Sequence, residues 1–189
     1  LGGGLGGVLI SRELPHGSVA FAMFLVDRSC LGVKDAFGRV TSRAEYDRFV
    51  KETNDHYELL RATPADVRNL VEGSVQYARD LGLEPHPDYR RLAPIFGDID
   101  AQDAEAEFQF GDENGKPHFM AGPNETPQRC YQILSILEHT CGKGGFDFTI
   151  PFIDCIPKSL RGGVRVISED GEEFENLPDV LDDEEDEDW

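Results

Sequence analysis

The densest group of reactive side chains in the chain is the run Cys30-Leu31-Gly32-Val33-Lys34-Asp35. A thiol attacks only as the thiolate, and a nearby ammonium stabilises that form. Cys30, Lys34 and Asp35 are therefore candidate catalytic residues of a cysteine-dependent hydrolase or transferase. The competing account is structural. Free cysteine is among the most often buried residues and behaves as a small hydrophobe. Lys34 and Asp35 are then ordinary solvent neighbours. The structural account carries more weight, because no histidine stands beside Cys30 in the sequence.

The other chemical constellations are weaker. A zinc site would draw on Cys130, His139, Cys141 and Cys155, since zinc favours thiolate and imidazole. Their spacings are nine, two and fourteen residues, without a C-x-x-C knuckle. Cys130 and Cys141 also fall on the apolar stripe of an expected helix, so packing is the stronger reading. No metal and no cofactor is assigned. His86 and Asp88, set among Pro85 and Pro87, have the types of an acid–base pair or of metal ligands. Alternate residues of an extended chain point to opposite faces, so a stiff connector packed through Tyr89 is preferred. Asp98, Asp100 and Asp103 only loosely resemble a calcium loop. Counted from Asp98, Asp103 stands at the sixth place, where glycine is needed, and Gln109 at the twelfth, where glutamate is needed. Leu1 to Gly7 and Gly142-Lys143-Gly144-Gly145 both lack the ending of a phosphate loop.

The elements that must position these groups can be read from periodicity. Val8 to Glu13 reads as a strand, Pro15-His16-Gly17 as a turn, and Ser18 to Asp27 as a second strand. That second strand is apolar at both parities, which suits the centre of a sheet. Residues 28–38 read as a strand end running into a loop. Ser42-Arg43-Ala44-Glu45 has capping-box form and opens a helix expected to reach about Arg61, with a break near Thr53-Asn54. Thr63-Pro64 opens the most secure helix, with Val67, Leu70, Val71, Val75, Ala78 and Leu81 on one stripe and Gly82 as its stop. A short helical piece follows at Asp88 to Ile95. Phe108 and Phe110, then Asn114-Gly115, then Lys116 to Met120, read as a hairpin. Thr126-Pro127 opens a helix ending at Gly142, and Phe146 to Phe152 alternates as a strand. Val164 to Ile167 and Glu172 to Phe174 read as a small last hairpin. Hairpins outnumber crossovers. The expected class is α+β, an antiparallel or mixed sheet with about three helices packed on one face.

Charge divides the chain in two. The 189 residues carry 18 Lys+Arg against 37 Asp+Glu, a formal net charge of −19. Residues 169–189 hold 13 acids and no Lys or Arg, which leaves residues 1–168 with 24 acids and 18 bases. The expected organisation is a single α+β domain over 1–168 and an acidic, extended tail over 169–189. A block of like charge repels itself and stays open to solvent. Such a tail is either a solvating appendage or a hook for a basic protein surface. Asp182, Asp183, Glu184, Glu185, Asp186, Glu187 and Asp188 would supply the field, and Trp189 an aromatic anchor. Direct nucleic-acid binding is disfavoured, because phosphates require a basic surface. No run of about 18 apolar residues is present, so no membrane span is expected. No basic and apolar leader is visible, and reduced thiols in a cytoplasm follow as the expectation.

Two motifs carry a resemblance. One is Val26-Asp27 leading through Cys30-Leu31-Gly32-Val33-Lys34-Asp35-Ala36-Phe37. The other is Tyr77-Ala78-Arg79-Asp80-Leu81-Gly82 leading to Pro85-His86-Pro87-Asp88-Tyr89. With Phe110-Gly111, Gly115-Lys116-Pro117 and Ala121-Gly122-Pro123, they resemble a family of bacterial proteins, over roughly Leu5 to Phe152. The resemblance implies a bacterial, cytosolic, single-domain protein, and implies no activity, cofactor or catalytic residue.

The functional expectation is a non-catalytic binding protein, a globular scaffold whose acidic tail meets a basic partner. The thiol enzyme is the alternative. An acidic mimic of nucleic acid is a third reading, and it requires the body's acids to stand at phosphate-like intervals.

Overall fold

The computed structural model describes residues 4–151, 153–167 and 173–175. The partner-binding candidates at 182–189, and the end of the expected strand at Phe152, lie outside the described residues.

The main sheet has three antiparallel strands in the order β1-β2-β3: β1 (Leu5–Glu13), β2 (Ser18–Asp27) and β3 (Gly32–Ser42). β2 holds the centre, as its two-sided apolar pattern requires. Ala22, Phe24 and Val26 are buried on one face, and Val19 and Phe21 on the other. Residues 28–38, expected as a strand end and loop, instead form a tight turn followed by β3. The register explains why periodicity hid this strand. Leu25 faces Asp35 and Val26 faces Val33, so Lys34 is an extra residue, a β-bulge. The bulge lets Val33 and Ala36, three apart, both be buried, which no strict period of two contains. The rest of β3, at the sheet edge, is largely exposed, with Phe37 and Val40 among its outward residues.

Helices use both faces of this sheet. α1 (Arg43–His56) begins with the capping box: Ser42 Oγ accepts the Glu45 N–H at 3.3 Å, and Glu45 accepts the Ser42 N–H at 3.3 Å. It stops at His56, short of the expected Arg61. α1 covers Phe21, whose ring lies 4.9 Å from Phe49 and 5.7 Å from Tyr46. α2 (Pro64–Asp80) packs on the opposite face. Its Val67, Leu70, Val71 and Val75 join Val8, Ile10, Phe24 and Val33 in one buried cluster. Thr63 caps α2 by accepting the Asp66 N–H at 3.1 Å. α3 (Pro87–Leu92) sets Tyr89 6.1 Å from the Phe24 ring, which also stacks on Phe96 at 5.7 Å.

The expected hairpin at Asn114-Gly115 is half right. The turn forms, with the Asp112 carboxylate accepting the N–H groups of Asn114 and Lys116 at 2.8 Å each. Its flanks do not pair. Phe110 packs over Gly73 of α2, where a Cβ would come within 2.6 Å of the ring, and stacks on Tyr77 at 5.9 Å. The incoming chain runs along a helix instead of a strand. After the turn, β4 (His118–Met120) pairs in parallel with β5 (Asp147–Thr149), and α4 (Pro127–Cys141) connects them. A crossover thus replaces the expected hairpin. β6 (Arg165–Ile167) and β7 (Glu173–Glu175) form the small antiparallel hairpin expected there.

The fold is α+β with two apolar clusters. The second contains Leu81, Leu83, Phe119, Ile133, Leu134 and Leu137, together with Cys30 and Leu31 from the β2–β3 turn. Each large side chain buried in this way is worth about 1.5–3 kcal/mol. Among the described residues no helix is long and apolar enough to cross a membrane.

Candidate functional site

The structure separates Cys30 from Lys34 and Asp35. Cys30 lies in the β2–β3 turn with 0 % of its surface exposed. The turn is tied down by Asp27, whose carboxylate accepts the N–H groups of Ser29 at 2.8 Å and of Cys30 and Leu31 at 3.3 Å each. Burial, then the neighbouring Asp27 carboxylate, push the Cys30 thiol far up from its ordinary value. The Lys34 charge acts the other way and is outweighed. Cys30 is a neutral thiol in a core. Asp27 itself is raised above the ordinary carboxylate value by burial, against the pull of its three N–H donors and Lys34.

The four groups weighed as zinc ligands do not come together as a set. Cys130 and Cys155 are buried side by side and share a hydrogen bond, with the Cys130 thiol pushed up to about 11 by burial and then by Cys155. Cys141 is half-buried and His139 is exposed. Among the described residues no three His, Cys, Asp or Glu side chains converge on a metal position. His86 and Asp88 do not pair through their side chains. His86 Nδ1 accepts the Asp88 N–H at 3.3 Å and so caps α3, while the Asp88 carboxylate takes Arg91 at 3.2 Å. Asp98 of the expected acidic loop is held by Arg12 at 3.0 Å.

Lys34 and Asp35 meet a different set of residues. Asp35 Oδ1 lies 3.9 Å from His86 Nε2, and the His86 N–H donates to the Val33 carbonyl at 2.8 Å. That backbone bond pins the Pro85-His86-Pro87 segment to the edge of β3. Lys34 turns inward, 3.8 Å from Glu125. Between β3, residues 84–87 and the start of α4 lies a cleft of about 480 Å³. Its apolar wall is Leu31, Pro85 and Pro87, with Val33 and Ile133 buried behind them. Its polar groups are Lys34, Glu84, His86, Glu125 and Arg129. Glu84, Glu125 and Arg129 were beyond sequence reasoning. They come from segments 50 to 95 residues away from Lys34, and only the tertiary fold joins them.

The fold and site thus define an α+β protein with a mixed-charge cleft at the edge of its main sheet. Comparison with protein-family models, curated proteins and solved structures gives no match for the chain.

Proposed function

We propose that the protein is a non-catalytic binding protein whose acidic segment, residues 169–189, engages a basic protein surface. The observation that carries this is the segregation of charge: 13 acids and no Lys or Arg in that segment. Such a block gives long-range attraction to positive surfaces and repels nucleic acid. Asp182 to Asp188 supply the field, and Trp189 the apolar contact. The chemistry of the body supports a scaffold role, since its thiols are held neutral by burial. Among the described residues no disulfide joins the cysteines, and a reducing cytoplasm and the bacterial family the motifs resemble belong to the same reading.

The test compares the full chain with a variant lacking residues 176–189, which leaves β7 in place. Both are immobilised, challenged with cell extract at low and at high salt, and read by mass spectrometry. Basic proteins are captured by the full chain at low salt, released at high salt, and not captured by the variant. Equal capture by both chains sinks the reading.

A further inference from the structure

The cleft beside β3 has no part in that reading, and three features make it a built site. The first is Lys34. The bulge takes its side chain out of the strand's alternation and sends it into the cleft. The side chain is only 13 % exposed, yet its nearest carboxylate is 3.8 Å away, beyond hydrogen-bond reach. Among the described residues its ammonium donates no hydrogen bond. Its ammonium is not among the fully buried polar atoms, so its donors stand free in the cleft to meet a ligand.

The second feature is Gly122. A Cβ there would stand 3.3 Å from Lys34 Nζ. The missing side chain keeps that approach open. The third feature is the balance of charge. Lys34 and Arg129 face the same space as Glu84 and Glu125. A simple anion meets both carboxylates and a chain of net charge −19. A simple cation meets Lys34 and Arg129. A zwitterion satisfies both pairs and is indifferent to the net charge. The apolar part of the wall that reaches the surface, Leu31, Pro85 and Pro87, is aliphatic. A volume of about 480 Å³ suits a small metabolite and not a polymer.

We propose that this cleft binds a free α-amino acid with an aliphatic side chain. Lys34 and Arg129 take the carboxylate, Glu125 and Glu84 take the ammonium, and Leu31, Pro85 and Pro87 cover the side chain. On binding, the Lys34 donors exchange solvent for the ligand's carboxylate.

The experiment uses the full chain and the encoded L-amino acids at millimolar concentration, read by thermal shift and then by calorimetry. Leucine, isoleucine, valine or methionine raises Tm and gives a saturable heat. Its decarboxylated amine and its N-acetyl derivative each bind about tenfold or more weakly, the loss of one charged hydrogen-bonding group. Arg129→Gln and Glu84→Gln, both at exposed positions, retain the wild-type melting temperature without ligand and lose a similar factor. The proposal is overturned if no amino acid binds. It is equally overturned if the amine or the N-acetyl acid binds as well as the parent, or if the two folded variants bind normally.

Discussion

Cys30 shows how far a side chain's chemistry depends on its surroundings. Its residue type and its distance from Lys34 along the chain suggest a nucleophile. Its burial and the Asp27 carboxylate make it the least reactive kind of thiol. Cys141, half-buried at the end of α4, is more accessible than the other three. In the native protein at pH 8, an alkylating reagent therefore modifies Cys141 first. Cys30, Cys130 and Cys155 react only through unfolding, slower by about a hundredfold or more. Peptide mass spectrometry over time measures this order. Labelling of Cys30 ahead of Cys141 would restore the thiol enzyme as the better reading. The same residue shows what a sequence leaves out. The side chains able to do chemistry at positions 30, 34, 35 and 86 are visible in it, but their partners are set by folding. Nothing in the spacing says that Lys34 leaves Cys30 for Glu125, or that His86 turns to Asp35.

At the level of elements, helices with a cap and a continuous stripe were legible. Thr63 and Thr126 open α2 and α4 where expected, because capping is local chemistry. β2 was legible from its two apolar faces. β3 was not, because the bulge at Lys34 breaks its period and its outer positions mix polar residues with Phe37 and Val40. The Phe108–Phe110 segment alternates like a strand but packs, partly buried, against the cluster that α2 belongs to, and alternation cannot tell one neighbour from the other. Asp66 is the tie between these pieces. It accepts the N–H groups of Glu105 and Ala106 at 2.9 Å each, and the Thr63 hydroxyl donates to it at 2.6 Å. The Thr63 hydroxyl and the Ala106 N–H hold its carboxyl below the ordinary carboxylate value. A carboxyl lowered in the folded state stabilises that state when ionised. This stability is complete above about pH 4 and is lost as the pH falls through the lowered value. Asp66→Asn therefore lowers Tm by several degrees at pH 7. The difference from wild type shrinks between about pH 4 and pH 2. Thermal melts across that range check it, and a constant difference would refute it.

At the scale of the whole molecule, α2 is the member shared by both apolar clusters. Val71 and Val75 belong to the first, and Ala78 to the second. The β2–β3 turn does the same from the other side, with Val26 and Val33 in the first and Cys30 and Leu31 in the second. The two clusters are therefore one cooperative structure, not two separable halves. Gly32 shows how tightly they meet. It has φ +68°, and a Cβ there would stand 2.8 Å from the Ser74 carbonyl oxygen of α2.

The short connection between β2 and β3 consequently behaves as a plug rather than as a surface tip. Its carbonyls are claimed by distant backbone: Arg28 accepts the Gly111 N–H at 2.8 Å and Ser29 the His118 N–H at 2.9 Å. A short epitope tag spliced between Ser29 and Cys30 would wedge the sheet away from α4 and leave insoluble protein. The same tag placed after Leu60, in the exposed link between α1 and α2, would be carried without loss of soluble yield or far-ultraviolet ellipticity. Anyone fusing a reporter to this chain would find the tightest-looking bend in its sequence closed to them, and the wide one open.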